Sequence, residues 1–337
     1  MRGAHVSLWF KERMGVMQIE ILQSGTGDCI WISHNQKNIV IDGGKSSSAI
    51  IERYGKMPQG ENIDLLVVTH IDSDHIAGVI ALVEDLKKKN EISRLKQVWF
   101  NFPKKEESDE YSVPEGNTLS TSLCKIEGLK WNNNTSEMIG HPVNVGDIKM
   151  HVLAPDYDAA NEYKPKAPDE LGEENADWDV DLKTLIENVD DDNLDDGGPN
   201  SQSIVILIEC DGKRALLPGD CTPFELLKAI RAYNSVNGTP LQLELMKLPH
   251  HGSVRNITKD IMAEIDCSNF VISTNVNKKY LLPNKETIAK LISYRKAEDE
   301  TVNVYFNYQD ALNVLNITEK EQSEYNIKLI DRCEFNI

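Results

Sequence analysis

The sequence predicts an α/β fold built as an αββα sandwich, two mixed β-sheets packed face to face with helices outside. Three observations carry it. Each half of the chain runs as a strand meander followed by strand–helix alternation. Ile63–Thr69 (IDLLVVT) reads as one apolar run, the mark of a strand buried on both faces. A chain of 337 residues that is 40% hydrophobic carries ample material for a core.

From Met17 the elements follow in order. Gln18–Leu22, Cys29–Ser33 and Asn38–Ile41 read as a three-stranded meander, broken by Ser24-Gly25-Thr26-Gly27-Asp28 and Asp42-Gly43-Gly44. A short helix is expected over Ser46–Tyr54, then the buried strand, then an amphipathic helix over Ile76–Lys89 whose three closing lysines suit its C-terminus. Lys96–Phe100 is a strand, Asn117–Gly128 a helix, and Val143–Leu153 a hairpin turning at Gly146-Asp147. The pattern restarts with strands Ser203–Glu209 and Arg214–Leu217, helix Pro223–Tyr233 and strand Gln242–Leu248. Helix Thr258–Ile265, strand Phe270–Ser273, helix Lys285–Ser293 and strands Val302–Phe306 and Asn326–Ile330 complete it. Residues 1–16 read as an N-terminal extension and 17–337 as a single domain.

Between the halves lies an acidic insertion, residues 156–198, with 16 Asp or Glu against 3 Lys, a net of −13 in a chain of net −18. It shows almost no apolar periodicity and reads as solvated or disordered. So long a loop inside a compact domain calls for a function, and a gate over a cleft or a surface for a protein partner is the expectation. The overall acidity excludes a protein held on nucleic acid by a global positive field, but not an enzyme with a local cleft. Six scattered cysteines without a C-x-x-C pair argue against a disulfide scaffold. No stretch reaches the roughly 18 apolar residues of a membrane span. A cytoplasmic location is the expectation; the oligomeric state is left open.

The chemistry sits at strand ends. Thr69-His70-Ile71-Asp72-Ser73-Asp74-His75 offers four ligand-type side chains at i, i+2, i+4 and i+5, where the buried strand gives way to a helix. Leu217-Pro218-Gly219-Asp220 and Leu248-Pro249-His250-His251-Gly252-Ser253 each follow another strand. Three strand ends presenting His or Asp describe a dinuclear metal centre at one edge of a sheet sandwich. Lys247, just before the last motif, reads as a surface lysine, and Asp28 as structural.

Taken together, Asp42-Gly43-Gly44, T-H-x-D-x-D-H, Gly219-Asp220 and His250-His251-Gly252-Ser253 resemble the metallo-β-lactamase superfamily. Within it they are similar to the cytosolic hydrolase domain of the ComEC-like DNA-uptake competence proteins. Gly25-Thr26-Gly27-Asp28-Cys29-Ile30, Asn200-Ser201-Gln202-Ser203 and Ser273-Thr274-Asn275 extend the resemblance from about residue 18 to 283.

The resemblance implies the metallo-β-lactamase fold and two divalent ions. His70 and Asp72 would hold one, Asp74 and His75 the other, with Asp220 bridging. One of the tandem histidines would complete the second ion's shell, His250 being favoured over His251 because it lies nearer the strand end. Asp74, Asp220 and His250 are the catalytic candidates. Asp42, His251, Ser253 and Asn275 are candidates for substrate contact or for orienting ligands. Two departures stand out: Asp72 takes the middle position of H-x-H-x-D-H with no histidine near Asn200, and Leu282-Pro283 stands where the branch often has His-Pro. The oxygen-rich set favours Mn²⁺, with Zn²⁺ compatible. The expected activity is hydrolysis of a phosphodiester, a DNA nuclease using a hydroxide activated by two ions. The alternatives are a small-ester hydrolase of the same fold, or a non-catalytic partner protein acting through the acidic insertion.

Overall fold

Alternation along single strands shows how the layers are made. In Leu65–Val68, Leu65 and Val67 point into one apolar cluster while Leu66 and Val68 point into another. All four are buried, at about 1.5–3 kcal/mol of favourable transfer each. Val205–Cys210 repeats the arrangement, with Ile206 and Ile208 on the first cluster and Val205 and Leu207 on a third. The shared cluster lies between two sheets; the other two lie under helices. The computed structural model describes residues 15–104, 114–162 and 176–337. Most of the expected N-terminal extension, and residues 163–175 of the acidic stretch, fall outside them.

The first sheet contains β1 (Gln18–Ile21), β2 (Ile30–His34), β3 (Lys37–Ile41), β4 (Leu65–Val68), β5 (Gln97–Phe100) and β6 (Lys130–Asn132). The second contains β7 (Val143–Val145), β8 (Ile148–Ala154), β9 (Val205–Cys210), β10 (Lys213–Leu217), β12 (Leu245–Lys247), β14 (Asn269–Ile272), β15 (Val302–Phe306) and β16 (Ile327–Asp331). A two-stranded ribbon pairs β11 (Leu241–Gln242) with β13 (Ile265–Asp266), and β17 (Glu334–Asn336) returns to the outer side of β1. The orders are β17-β1-β2-β3-β4-β5-β6 and β16-β15-β14-β12-β10-β9-β8-β7. Each sheet is antiparallel through its meander and parallel from the strand that follows, β3–β4 in one and β10–β12 in the other. Both are therefore mixed, as the sequence predicts.

Helices α1 (Ser47–Gly55), α2 (Ser73–Lys88) and α3 (Pro114–Cys124) cover the first sheet. α2 buries Ile76, Val79, Leu82, Val83 and Leu86, spaced to lie on one face, and ends on Lys87 and Lys88. It starts at Ser73, three residues before the apolar pattern does, because the Asp72 carbonyl accepts from the backbone N–H of His75 (2.8 Å) and Ile76 (3.1 Å). Asp74 and His75 thus sit in the first helical turn.

The acidic stretch departs from expectation. Its described part carries the short helices α4 (Ala159–Glu162) and α5 (Leu182–Glu187) and packs on the body. Leu182 is fully buried, Trp178 donates to the Pro283 carbonyl, and the buried Lys285 donates to the Val180 carbonyl. Few but well-placed anchors hold it, and these leave no periodic signature. Beyond it, α6 (Pro223–Asn237), α7 (Lys259–Glu264), α8 (Lys285–Tyr294), α9 (Gln309–Val314) and α10 (Glu319–Glu324) lie along the second sheet's side. Lys290, on α8, reaches Asp191 at 3.0 Å.

Candidate metal centre

The C-terminal ends of β3, β4, β10 and β12 open onto one place. Asp42 follows β3, His70 to His75 follow β4, Asp220 follows β10, and His250-His251 follow β12. Glycines let these loops touch. A Cβ on Gly78 would overlap the Gly43 carbonyl, and one on Gly43 would overlap the Gly78–Val79 backbone, so the β3 loop lies flush on α2. A Cβ on Gly27 would overlap the Asp74 carbonyl in the same way. Gly25 and Thr26 are tied to the far strand end: the Asn275 N–H donates to the Gly25 carbonyl (3.0 Å) and the Thr274 hydroxyl to that of Thr26 (3.1 Å).

At the centre, the Asp220 Oδ2 lies 3.3 Å from His75 Nε2 and 3.1 Å from His251 Nε2. The two imidazole nitrogens are 3.3 Å apart, and Asp74 Oδ2 is 3.6 Å from His251 Nε2. His70 stacks tilted against His75 with ring centroids 4.1 Å apart, and its Nε2 comes within 3.9 Å of Asp72 Oδ2. Asp28, His75, Asp220 and His251, all buried, bring one ligand atom each within 4.8 Å of one another.

Behind this nest, the histidine Nδ1 atoms are held. His75 Nδ1 meets Asp42 Oδ2 at 2.8 Å, and Asp42 also accepts from the Thr69 N–H (2.8 Å) and hydroxyl (2.6 Å). His70 Nδ1 meets that hydroxyl at 3.0 Å. His251 Nδ1 faces the Ser273 carbonyl at 3.0 Å and Asp28 Oδ1 at 3.5 Å. His250 Nδ1 faces Asp195 Oδ2 at 3.3 Å. With Nδ1 as donor, each neutral ring presents its Nε2 lone pair. The His70 Nε2 is buried and has no hydrogen-bond partner. Crowded imidazole nitrogens and carboxylate oxygens, with a buried nitrogen unsatisfied, fit divalent cations.

The charges perturb one another. Burial disfavours an imidazolium at His75, but Asp220 and Asp42 outweigh it and raise its pKa well above the ordinary value. The same contest, with Asp220 and Asp28, raises His251 to about 9. For His70 burial wins, aided by His75, and lowers it to about 4. Burial and Asp74 push Asp72 up to about 6. Burial opposes ionisation of Asp220, yet His251, His75 and Lys247 hold its carboxyl well below the usual range.

The sequence-stated candidates separate in space. His251 is buried and faces Asp74, His75 and Asp220, whereas the side chain of His250, the expected partner of the second ion, is about a third exposed and its Nε2 lies 3.9 Å from Asp220. The cause is the backbone: His250, His251 and Gly252 are successive left-handed residues (φ +48°, +57°, +82°), so nearness to the strand end does not decide which ring turns inward. Ser253 accepts from the Arg255 N–H and caps the next turn. Asn275 Oδ1 is buried without a hydrogen-bond partner.

Lys247 corrects the sequence reading outright. It is completely buried and pairs with Asp28, with Asp220 at 3.5 Å and with the Gly219 carbonyl at 3.0 Å. Its signal was strand alternation: Leu245 packs in the inter-sheet cluster, and Lys247 shares that face. Asp195, which sequence reasoning passed over as one charge among many, is also buried, and no local pattern marks it.

Residues 23–263 match the metallo-β-lactamase superfamily. The chain belongs to the metallo-β-lactamase superfamily. Its sandwich, with the strand-end loops on one edge, is the metallo-β-lactamase fold. It is also 20% identical over 293 residues to ComE operon protein 3 of Bacillus subtilis (strain 168), covering 81% of this chain. The chain spans about 30% of that relative's length. Similar solved structures include the metallo-β-lactamase fold protein YhfI of Bacillus subtilis (8% identity, TM-score 0.48, 96% of this chain and all of that one). Another is Zn²⁺-bound PqqB of Methylobacterium extorquens (11% identity, TM-score 0.46, 93% and 88%). Membership of this superfamily supports a hydrolase, and Asp28, His75, Asp220 and His251 could hold a metal ion. No helix among the described residues is long and apolar enough to cross a membrane.

Proposed function

We propose that this metallo-β-lactamase-fold protein hydrolyses phosphodiester bonds and that DNA is its substrate. One observation supports hydrolysis above the others: loops from four strand ends put inward-facing imidazole nitrogens and carboxylates into one buried nest. His70, Asp72, Asp74, His75, Asp220 and His251 would hold two divalent ions, with Mn²⁺ the favoured metal. Such ions supply an acidified water and Lewis-acid stabilisation of a phosphoryl oxygen. The choice of a phosphodiester rests on the resemblance to the ComEC-like branch and on the alignment with ComE operon protein 3.

The chain's own residues set the stage for that chemistry. Asp42 and the Ser273 carbonyl hold His75 and His251 from behind, fixing which nitrogen faces the reaction. Lys247 holds one oxygen of Asp220 and leaves Oδ2 turned to the histidines. A covalent thiolate route has no support here. Cys29 and Cys221, beside Asp28 and Asp220, are fully buried, and burial pushes both thiols well up. Asp74, partly open to solvent, is held ionised against burial by His75 and His251, which suits a carboxylate ligand.

The test is cleavage of plasmid and single-stranded DNA against bis-p-nitrophenyl phosphate, with Mn²⁺, for the wild type and for His70→Ala and Asp220→Ala. DNA cleavage lost in both variants supports the reading. Rapid turnover of the small ester without DNA cleavage rejects the nuclease. A chain that binds no divalent ion rejects the enzyme.

A further inference from the structure

We infer that Asp195, at the C-terminal end of the acidic stretch, positions His250 as a ligand of the first metal ion, beside His70, Asp72 and Asp220. The inference rests on the two-ion reading above and adds to it a role for the acidic segment.

The successive left-handed residues at 250 and 251 turn the two rings apart, with planes at 75° and centroids 5.9 Å from each other. Both reach Asp220 Oδ2, His251 at 3.1 Å and His250 at 3.9 Å. Their neighbours differ. His251 Nε2 lies 3.6 Å from Asp74 Oδ2 and 3.3 Å from His75 Nε2, whereas the nest carboxylate beside His250 Nε2 is Asp220, at 3.9 Å. His251 therefore belongs with the second ion's ligands and His250 with the first's. On the first ion's side, His70 contributes a buried Nε2 that has no hydrogen-bond partner. His250 Nε2, 3.9 Å from Asp220 Oδ2, is a further nitrogen donor at hand on that side.

What holds that ring is Asp195. Its Oδ2 accepts from Asn200 Nδ2 (2.9 Å) and Asn256 Nδ2 (3.1 Å) and faces His250 Nδ1 at 3.3 Å. Asn200 Nδ2 itself lies 3.4 Å from His250 Nδ1. The sequence lacks a histidine near Asn200; the structure brings one there from another strand end. Asp195 is 6% exposed and its backbone N–H donates to the Arg255 carbonyl at 3.0 Å. Upstream, Asp191 accepts from the Lys259 N–H (3.0 Å), Lys290 (3.0 Å) and the Tyr294 hydroxyl (3.2 Å). The segment is thus clamped to the body on the approach to Asp195. A carboxylate behind Nδ1 fixes the tautomer that offers Nε2, the arrangement common behind metal-bound histidines.

The experiment strips the full-length protein of metal and titrates it with Mn²⁺, reading stoichiometry by elemental analysis and the coupled dinuclear signal by electron paramagnetic resonance. Wild type is expected to take two ions. Asp195→Ala and the partly exposed His250→Ala are each expected to keep one tight ion, lose the coupled signal and bind the second ~10–100-fold more weakly. Asp195→Asn, which retains an acceptor, should recover part of the affinity. Two ions at wild-type affinity in Asp195→Ala or in His250→Ala overturns the inference while leaving the two-ion reading intact. Loss of both ions together from His250→Ala overturns it too, since that result marks a general structural role. A wild type that binds no ion overturns both readings.

Discussion

Replacing Asp42 by Asn tests how the centre is oriented, because the substitution keeps shape and backbone while reversing one hydrogen bond. Asn tolerates the left-handed φ of +58° at this position. The Oδ1 can still accept from the Thr69 N–H, as it does at 2.8 Å. The other position becomes an amide donor, where Oδ2 now meets His75 Nδ1 at 2.8 Å and the Thr69 hydroxyl at 2.6 Å. His75 must then carry its proton on Nε2, the nitrogen turned to Asp220 and His251, which removes its lone pair from the nest. Flipping the amide restores an acceptor for His75 but aims a donor at the Thr69 N–H, so no rotamer satisfies both. Loss of such a carboxylate behind a histidine costs roughly 10–100-fold in metal affinity, or about 1.4–2.8 kcal/mol. That agrees with about 1.5–3 kcal/mol for one charge-assisted hydrogen bond. Competition of Mn²⁺ against a chelating dye measures it, and melting of the metal-free variant checks that the fold survives. An Asp42→Asn protein binding Mn²⁺ as tightly as wild type would refute the tautomer argument.

Two further outcomes follow from the same charges. In excess chelator, stability should fall as pH rises from 6.5 to 9: His251 titrates at about 9 when folded against 6.5 unfolded, so its stabilising proton is fully bound below 6.5 and lost through 9. Between about pH 4 and 6.5 the trend should be flatter, since the lowered His70 (about 4) favours stability rising with pH and the raised Asp72 (about 6) favours the reverse; thermal melts of the metal-free protein decide, and a melting temperature that climbs from pH 6.5 to 9 would contradict the assignment. Lys247→Met should destabilise the metal-free protein by about 3–5 kcal/mol, because Asp28 and Asp220 are left buried without their cation; denaturant unfolding with and without Mn²⁺ reads it, and a loss below about 1 kcal/mol would show that these carboxylates do not depend on the lysine.

The acidic stretch looks from its composition like solvated chain, yet Asp191 and Asp195 are held by Lys290, Tyr294, Asn200 and Asn256. Hydrophobic periodicity detects elements that bury a face; it is blind to a segment fastened by a buried leucine, two lysines and a few carboxylates. The same blindness hid Lys247, whose charge argued for the surface while its place in an alternating strand argued for the interior.

By itself the sequence determined the two half-sandwich patterns, a buried strand within Ile63–Thr69 and the concentration of His and Asp at three strand ends. These are local properties: period, turn chemistry and residue type at short spacing. Which histidine of a tandem pair faces Asp74, which group stands behind each imidazole, and that a lysine is sealed between Asp28 and Asp220 were decided only by the tertiary structure. Those contacts join residues far apart in the chain, such as His75 with His251 and Lys247 with Asp28. Their geometry depends on how loops with left-handed turns and close glycine contacts settle against one another, and that is set by packing rather than by any one stretch of sequence.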